Sequence, residues 1–331
     1  MRRRDFLVGL AATGAAAAAS AGKSPADRGI VDVHAHFMPP ELKAAGAIGV
    51  MGDWTLGRHL DAMNEAGVAR SILSITTPGV LLSGPAGWKL TRTCNEYAAS
   101  LASQERRKLG FFIYTRVDDI DKALAEIAYG FDSLNACGVG LFTSYESQWL
   151  GDPRFDPLFE ELNRRSAIVQ VHPTSGPCCR GLIPNVADTV IEFETDTTRA
   201  IASYVYRGAA ARYPRVKMIW SHSGGTMPSL IERFDFADKS PEAHTSSPNG
   251  FRATAAKFYY DVAQASNPAA TSALRRVVPV DHIVFGTDFP FRTPLEHVRQ
   301  LEAGGIFSDR ELRGIYRGNV QAGLTALLNQ G

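Results

Sequence analysis

Eight times along this chain a short run of apolar and β-branched residues is followed by a stretch with helical spacing, and that alternation constrains the fold more than any other feature. The runs fall at 30–37, 70–76, 109–114, 139–143, 168–172, 216–222, 258–262 and 282–287. Stretches with apolar residues three and four apart cover 54–67, 91–107, 119–135, 155–165, 194–212, 227–238, 268–278 and 294–303, and a last one covers 309–328. Runs that are apolar throughout, rather than at every second residue, belong to strands buried on both faces, which requires a parallel sheet covered by helices. The expected fold is a single (β/α)8 TIM barrel over residues 22–331, for which a chain of 331 residues with 45% hydrophobic content is ample. An open, doubly wound sheet is the alternative. No Gly-x-Gly-x-x-Gly follows the first run, so the nucleotide-binding version of that fold has no support.

The first 21 residues stand apart from this pattern. Arg2-Arg3-Arg4-Asp5-Phe6-Leu7 leads into a weakly apolar stretch rich in Ala and Gly that closes with Ala19-Ser20-Ala21. This is the pattern of a twin-arginine export signal cleaved after Ala21, and the apolar run is well short of the ~20 residues that span a bilayer. It predicts a periplasmic protein handled by the twin-arginine export machinery. Cleavage removes three Arg and one Asp, which turns 35 basic and 34 acidic residues into 32 and 33. A balance so close to neutral argues against nucleic acid or an anionic membrane surface as a partner. Cys94, Cys137, Cys178 and Cys179 are too few and too irregularly spaced for a disulfide framework or a thiolate zinc site. The adjacent pair Cys178 and Cys179 is read as two small residues lining a turn.

The chemistry gathers at the ends of the runs. In Val31-Asp32-Val33-His34-Ala35-His36-Phe37, strand alternation places His34 and His36 on one face with Asp32, and Val31, Val33, Ala35 and Phe37 on the other. Pro39-Pro40 stops the strand there, so both rings stand at its C-terminal end, where parallel barrels bind their ligands. His172, His222, Asp261 and Asp288 close their own runs in the same way. Above one barrel mouth, His34, His36, His172 and Asp288 can surround a single cation with nitrogen and oxygen ligands and leave a position open. Three imidazoles with one carboxylate favour zinc over manganese or iron. His59, His244 and His297 fall in helices or loops and His282 begins its run, so none of them is given a role.

With these motifs the chain resembles the metal-dependent amidohydrolase superfamily. Within it, the likeness is to aminocarboxymuconate-semialdehyde decarboxylase and related aromatic-acid decarboxylases, such as those of 6-methylsalicylate and γ-resorcylate. The resemblance runs through residues 31–40, 171–173, 196–201, 220–228, 258–268 and 284–291. It implies His34, His36, His172 and Asp288 as metal ligands and His222 as an unligated catalytic histidine. The γ-resorcylate enzymes carry Glu in place of the first histidine, so His34 aligns this chain with the His-x-His members. Dinuclear members of the superfamily bridge two metals with a carboxylated Lys at the end of strand four. Val139-Gly140-Leu141-Phe142-Thr143-Ser144 has no Lys, while Lys108, Lys217 and Lys257 sit at strand beginnings, so one metal is expected.

The implied activity is non-oxidative decarboxylation of a small aromatic or unsaturated carboxylic acid. A proton reaches the carbon that bears the carboxylate, conjugation is broken, and CO2 leaves. Asp288, or a metal-bound water activated by His222, would supply the proton. Arg180 and Arg292, on the loops after strands five and eight, are candidate clamps for the substrate carboxylate. The same groups would also suit hydrolysis of a lactone or amide of a small cyclic acid, with Asp288 as base and His222 stabilising the oxyanion. A protein that merely captured a metal or an aromatic acid would need no fifth polar group beside the ligands, and His222 counts against that reading. A homodimer is expected.

Overall fold

The computed structural model describes residues 28–46, 50–77, 79–241 and 246–328; the expected export signal at 1–21 lies outside them. Eight parallel strands pair in chain order: β1 (Ile30–His36), β2 (Val68–Ser74), β3 (Leu109–Tyr114), β4 (Gly138–Phe142), β5 (Ile168–His172), β6 (Lys217–Trp220), β7 (Tyr259–Asp261) and β8 (Ile283–Val284). The ring closes between β1 and the extended segment that follows β8. There the Val33 amide donates to the Phe285 carbonyl (3.0 Å), the His36 amide to Phe289 (2.8 Å), and the Thr287 and Asp288 amides to the carbonyl of His34 (3.1 and 2.8 Å). This is the (β/α)8 barrel expected from the alternation of runs and helical stretches.

The main helices are α1 (Leu56–Ala66), α2 (Gly84–Gln104), α3 (Ile120–Asp132), α4 (Asp156–Arg164), α5 (Glu192–Tyr206), α6 (Ile231–Ala237), α7 (Pro268–Arg275) and α8 (Pro294–Gly304). Local chemistry starts several of them. The side chains of Thr55 and Asp119 accept from backbone amides in the first turns of α1 and α3. Thr293 and Glu296 form a reciprocal capping box on α8. α2 begins at Gly84, before the expected 91, because Pro85 occupies its first turn, where a missing N–H costs nothing. The 194–212 stretch is divided at Gly208, whose φ of 76° no helix allows. The 309–328 stretch is divided into short pieces, Asp309–Arg313, Gly314–Gly318, Asn319–Gly323 and Thr325–Leu327.

The C-terminal pieces are broken because they close the bottom of the barrel. The Lys217 ammonium donates to the Gly323 carbonyl (2.8 Å) and Arg70 Nε to the Leu327 carbonyl (2.6 Å). Val320, Leu324 and Leu327 pack with Val31, Val33, Ile72, Phe112, Ile168, Ile219 and Val284. Residues drawn from six strands form one such cluster only inside the ring, so this is the barrel's lower plug. The larger apolar core lies between the strands and the helices. Each fully buried Leu, Ile or Phe in these layers contributes about 1.5–3 kcal/mol.

The plug corrects the expected facing of β1. Val31 and Val33 point into the barrel, and the register of β1 on β2 shifts between Asp32 and Ala35. Strict alternation therefore does not run through this stretch, and the irregularity is what lets His34 and His36 both reach the mouth. Asp32 is turned away from them, accepting from Thr287 Oγ1 (2.7 Å) and from the His34 amide (3.1 Å). Burial pushes its carboxyl up to about 7. A second correction concerns Cys178 and Cys179, which form a disulfide with each other in the short turn Pro177–Cys179. Adjacency within that turn is what brings the two sulfurs together.

Candidate active site

At the mouth, β1 supplies His34 and His36, β5 ends on His172, and Asp288 lies on the segment that seals β8 to β1. Asp288 Oδ1 is the meeting point: it lies 3.2 Å from His34 Nε2, 2.8 Å from His36 Nε2 and 3.6 Å from His172 Nε2. The two β1 imidazoles approach each other at 3.1 Å between Nε2 atoms. His222 follows β6 and faces the other oxygen, its Nε2 3.8 Å from Asp288 Oδ2. Backbone conformation aims these groups. His222, Ser223 and Asp288 take φ of 55°, 58° and 60°, a left-handed region that costs side-chain-bearing residues about 1 kcal/mol or more and that clusters at functional sites.

Each imidazole of the Oδ1 group has its Nδ1 engaged. His34 Nδ1 donates to Asp261 Oδ2 (2.9 Å), His36 Nδ1 meets the Ser74 carbonyl (3.2 Å), and His172 Nδ1 donates to the Pro173 carbonyl (2.8 Å). A proton fixed on Nδ1 leaves the Nε2 lone pair aimed at the centre, the arrangement of a metal-ligating histidine. His222 is different. Its Nδ1 is 3.3 Å from Glu194 Oε1, and among the described residues neither of its buried ring nitrogens finds an aligned hydrogen bond. Gly225 enables that approach: its φ is 64°, and a Cβ there would run into the Glu194 carbonyl, so α5 and the loop after β6 meet in backbone contact.

The charges explain why a cation suits the site. Asp261 and Asp288 are buried carboxylates, and among the described residues no Lys or Arg pairs with either. A buried carboxylate without a counter-charge is penalised by several kcal/mol. On protein groups alone, burial lowers His34, yet Asp261 and Asp288 outweigh it and raise the ring to about 10. Burial pulls His36 down and His172 down to about 3, so both stay neutral. Burial works against ionisation of Asp288, but hydrogen bonds from His172, His34 and His36 hold it well below the usual carboxylate range. Burial opposes the charge on His222, while Glu194 lifts it above its ordinary value. The donor set thus comprises neutral imidazoles, one anionic oxygen and a position for positive charge, which fits a divalent cation. His34, His172, His222 and Asp288 each also offer a donor atom within 4.8 Å of the others, so His222 stands close enough to share the site.

Above this floor opens a cavity of about 800 Å3. Thr76, Thr77, Thr189, Thr226 and Asn267 give it neutral polar walls, with Met51, Val190, Phe193 and Phe291 as apolar ones. His172, His222 and Asp288 form the base, with Glu194 and Gln264 beside them. Arg180 and Arg292 do not line it. Arg180 is exposed, with Nε donating to the Ser175 carbonyl (3.0 Å), and Arg292 lies partly exposed just before α8. The structure therefore brings together His34, His36, His172, His222 and Asp288, and leaves both arginines outside. Sequence reading overlooked Glu194 and Gln264 and gave Asp261 no role. Glu194 sits just before one stretch already singled out, 196–201, and Gln264 lies within another, 258–268, but neither ends a strand.

Comparison with known proteins places this arrangement in context. The chain matches the Amidohydrolase family over residues 31–321. A 6-methylsalicylic acid decarboxylase of Penicillium expansum is 34% identical over 304 residues, which cover 83% of this chain and 94% of the relative. The crystal structure of 2,6-dihydroxybenzoate decarboxylase from Rhizobium superposes with a TM-score of 0.81 at 18% identity, covering 90% of this chain and 98% of that one. A dihydroxybenzoic acid decarboxylase from Polaromonas, with bound manganese and the inhibitor 2-nitroresorcinol, superposes with a TM-score of 0.78 at 18% identity over 92% and 98% of the two chains. At such identity the two structures are alike in fold.

Proposed function

The chain belongs to the amidohydrolase family, and from that premise we propose that it is a metal-dependent, non-oxidative decarboxylase of a small aromatic carboxylic acid. The observation that carries the proposal is the division of labour at Asp288: Oδ1 faces three imidazoles, while Oδ2 faces His222. Ligation and proton handling are thereby kept on opposite sides of one carboxylate. His34, His36, His172 and Asp288 would hold the cation, whose contribution is to offset the negative charge of the substrate's oxygens.

The protein's own groups do the rest. The cavity's threonines and Asn267 offer hydrogen bonds to ring hydroxyls, and Phe193 and Phe291 offer apolar walls to the ring. A proton goes to the ring carbon that bears the carboxylate, either from His222, which Glu194 favours in its charged form, or from Asp288 Oδ2 once that oxygen has taken a proton up. The bond to the carboxylate then breaks, its electron pair returns to the ring, and CO2 leaves, so that a carboxylate and a proton become arene and CO2. The relative from Penicillium is named for 6-methylsalicylic acid, and hydroxybenzoates of that size are the first substrates to try. The decisive assay incubates metal-loaded protein with hydroxybenzoates and with lactone or pyrone acids, and follows CO2 and ring opening separately. CO2 from a hydroxybenzoate supports the proposal; ring opening without CO2 replaces it with hydrolysis.

For the ion, we propose zinc from the nitrogen-rich donor set. Manganese is the competitor, because the Polaromonas structure carries it; elemental analysis of protein purified without added metal decides between them. We also propose export by the twin-arginine route, with cleavage after Ala21, on the strength of Arg2-Arg3-Arg4 and Ala19-Ser20-Ala21. Changing Arg3 and Arg4 to Lys should strand the precursor in the cytoplasm. A homodimer is proposed in addition, and light scattering of the mature chain tests it.

A further inference from the structure

We infer that Gln264 is a positioning residue for Asp288, its side-chain amide fixing which carboxylate oxygen faces the cavity. The inference rests on the reading of Asp288 as both ligand and proton carrier. A carboxylate turns about a soft, roughly two-fold terminal torsion, so nothing covalent distinguishes its two oxygens, and their donors must do so. Oδ1 meets the imidazoles of His34, His36 and His172. Among the described residues Oδ2 has one hydrogen-bond donor, Gln264 Nε2, at 2.9 Å, and the nearby His222 Nε2 is farther away at 3.8 Å. Since an ionised carboxylate only accepts, the amide's NH2 end is the one that faces it.

Gln264 is itself held from two sides. Its φ is 53°, the left-handed conformation shared with His222 and Asp288. Two hydrogen bonds keep the loop there. Asp261 Oδ1 accepts from the Ala263 amide (3.0 Å), and the Gln264 amide donates to His297 Nε2 (3.0 Å). His297 is fully buried on α8, and its Nδ1 donates to the Thr293 carbonyl (3.0 Å), which leaves Nε2 as the acceptor that Gln264 requires. A continuous hydrogen-bonded path thus runs from the first turn of α8 through His297 and Gln264 to the outer oxygen of Asp288. Neither His297 nor Gln264 is a proposed ligand, yet together they set the orientation of Asp288 toward the substrate.

The test uses Gln264→Met, which keeps the length of the side chain and removes the donor, and Gln264→Asn, which keeps the donor one carbon short. Mn2+ binding to the chelator-treated full chain is titrated, and kcat and KM are measured at saturating Mn2+. Both variants should weaken Mn2+ binding about tenfold and lower kcat about 10–100-fold, with KM within about threefold of the parent, as loss of an outer-shell partner does. A residue that merely fills space would be replaced adequately by Met. The assignment falls if Gln264→Met binds Mn2+ and turns over within twofold of the parent, or if KM alone rises, which would make Gln264 a substrate contact. Should the parent protein turn over no aromatic acid, the decarboxylase proposal fails by itself, and the Mn2+ titration still decides the role of Gln264.

Discussion

His34 and His222 lie with their rings stacked, centroids 5.3 Å apart and planes 17° from parallel, and each has a carboxylate beside Nδ1. What separates them is the far nitrogen: His34 Nε2 looks at Asp288 Oδ1 among the other imidazoles, while His222 Nε2 looks at Oδ2. Replacing His222 by Asn should therefore leave the metal in place and lower turnover by about 10²-fold or more, since only proton handling or charge stabilisation is removed. Metal analysis with steady-state rates checks this, and loss of the ion would make His222 a ligand. Asp261→Asn should do the reverse. It weakens the acceptor that fixes the His34 tautomer, so metal affinity should fall about 10–100-fold, which a competition titration against a chelator measures. Strand-end position made the first five of these residues legible. His34, His36, His172, His222 and Asp288 all close apolar runs, whereas Glu194 sits in the first turn of a helix and Gln264 in a left-handed turn, where no periodicity marks a side chain as facing inward.

The elements that carry these residues were readable to different degrees, for physical reasons. Strands buried on both faces leave continuous apolar runs, so all eight were visible, and the helices that Thr55, Asp119 and Thr293 cap showed in the spacing of their apolar residues. The broken C-terminal stretch was not visible, because its apolar residues serve the barrel floor rather than one helical face. Nor was the tie that holds the loop after β4 against α5. Asp196, fully buried, accepts from Thr143 Oγ1, from Ser144 Oγ at 2.8 Å and from Trp149 Nε1 at 2.6 Å. It thereby sets the base of the helix whose first turn presents Glu194. Asp196→Ala would leave three donors without their acceptor, at about 1–3 kcal/mol for each buried one. A drop of several degrees in Tm should result, along with a rise in KM as the cavity wall loosens. Thr293→Ala removes half of a capping box and should cost about 1 kcal/mol, a smaller loss of Tm. Equal losses in the two variants would show that the buried tie is no stronger than a surface cap.

At the scale of the whole molecule, the buried histidines give stability a pH dependence that the cation should reshape. On protein groups alone His34 titrates at about 10 against an ordinary 6.5. A raised folded-state value means that its stabilisation is complete below 6.5 and is lost as the pH climbs toward 10. His59 and His172 run the other way. Burial takes them down to about 4 and about 3, so the stability they contribute is present above 6.5 and is lost as the pH falls through those values. His59 shows why it resists protonation: Nδ1 accepts from Trp54 Nε1 (3.2 Å), and Nε2 meets Ser71 Oγ (3.1 Å), a neutral tautomer fixed at both ends. Chelator-treated protein should then be most stable near neutral pH and lose Tm on both sides. Cation binding needs the His34 Nε2 lone pair, so the proton that sustains the alkaline loss must leave. At pH 8 a group titrating near 10 is almost fully protonated, and binding of one ion should release about one proton. Calorimetric titration of chelator-treated protein in two buffers of different ionisation enthalpy measures that number. The Tm gained from the ion should also grow from pH 7 to pH 9. A binding enthalpy independent of buffer would show that His34 carries no proton for the ion to displace, and would remove it from the proposed ligand set or from the charge balance described for it.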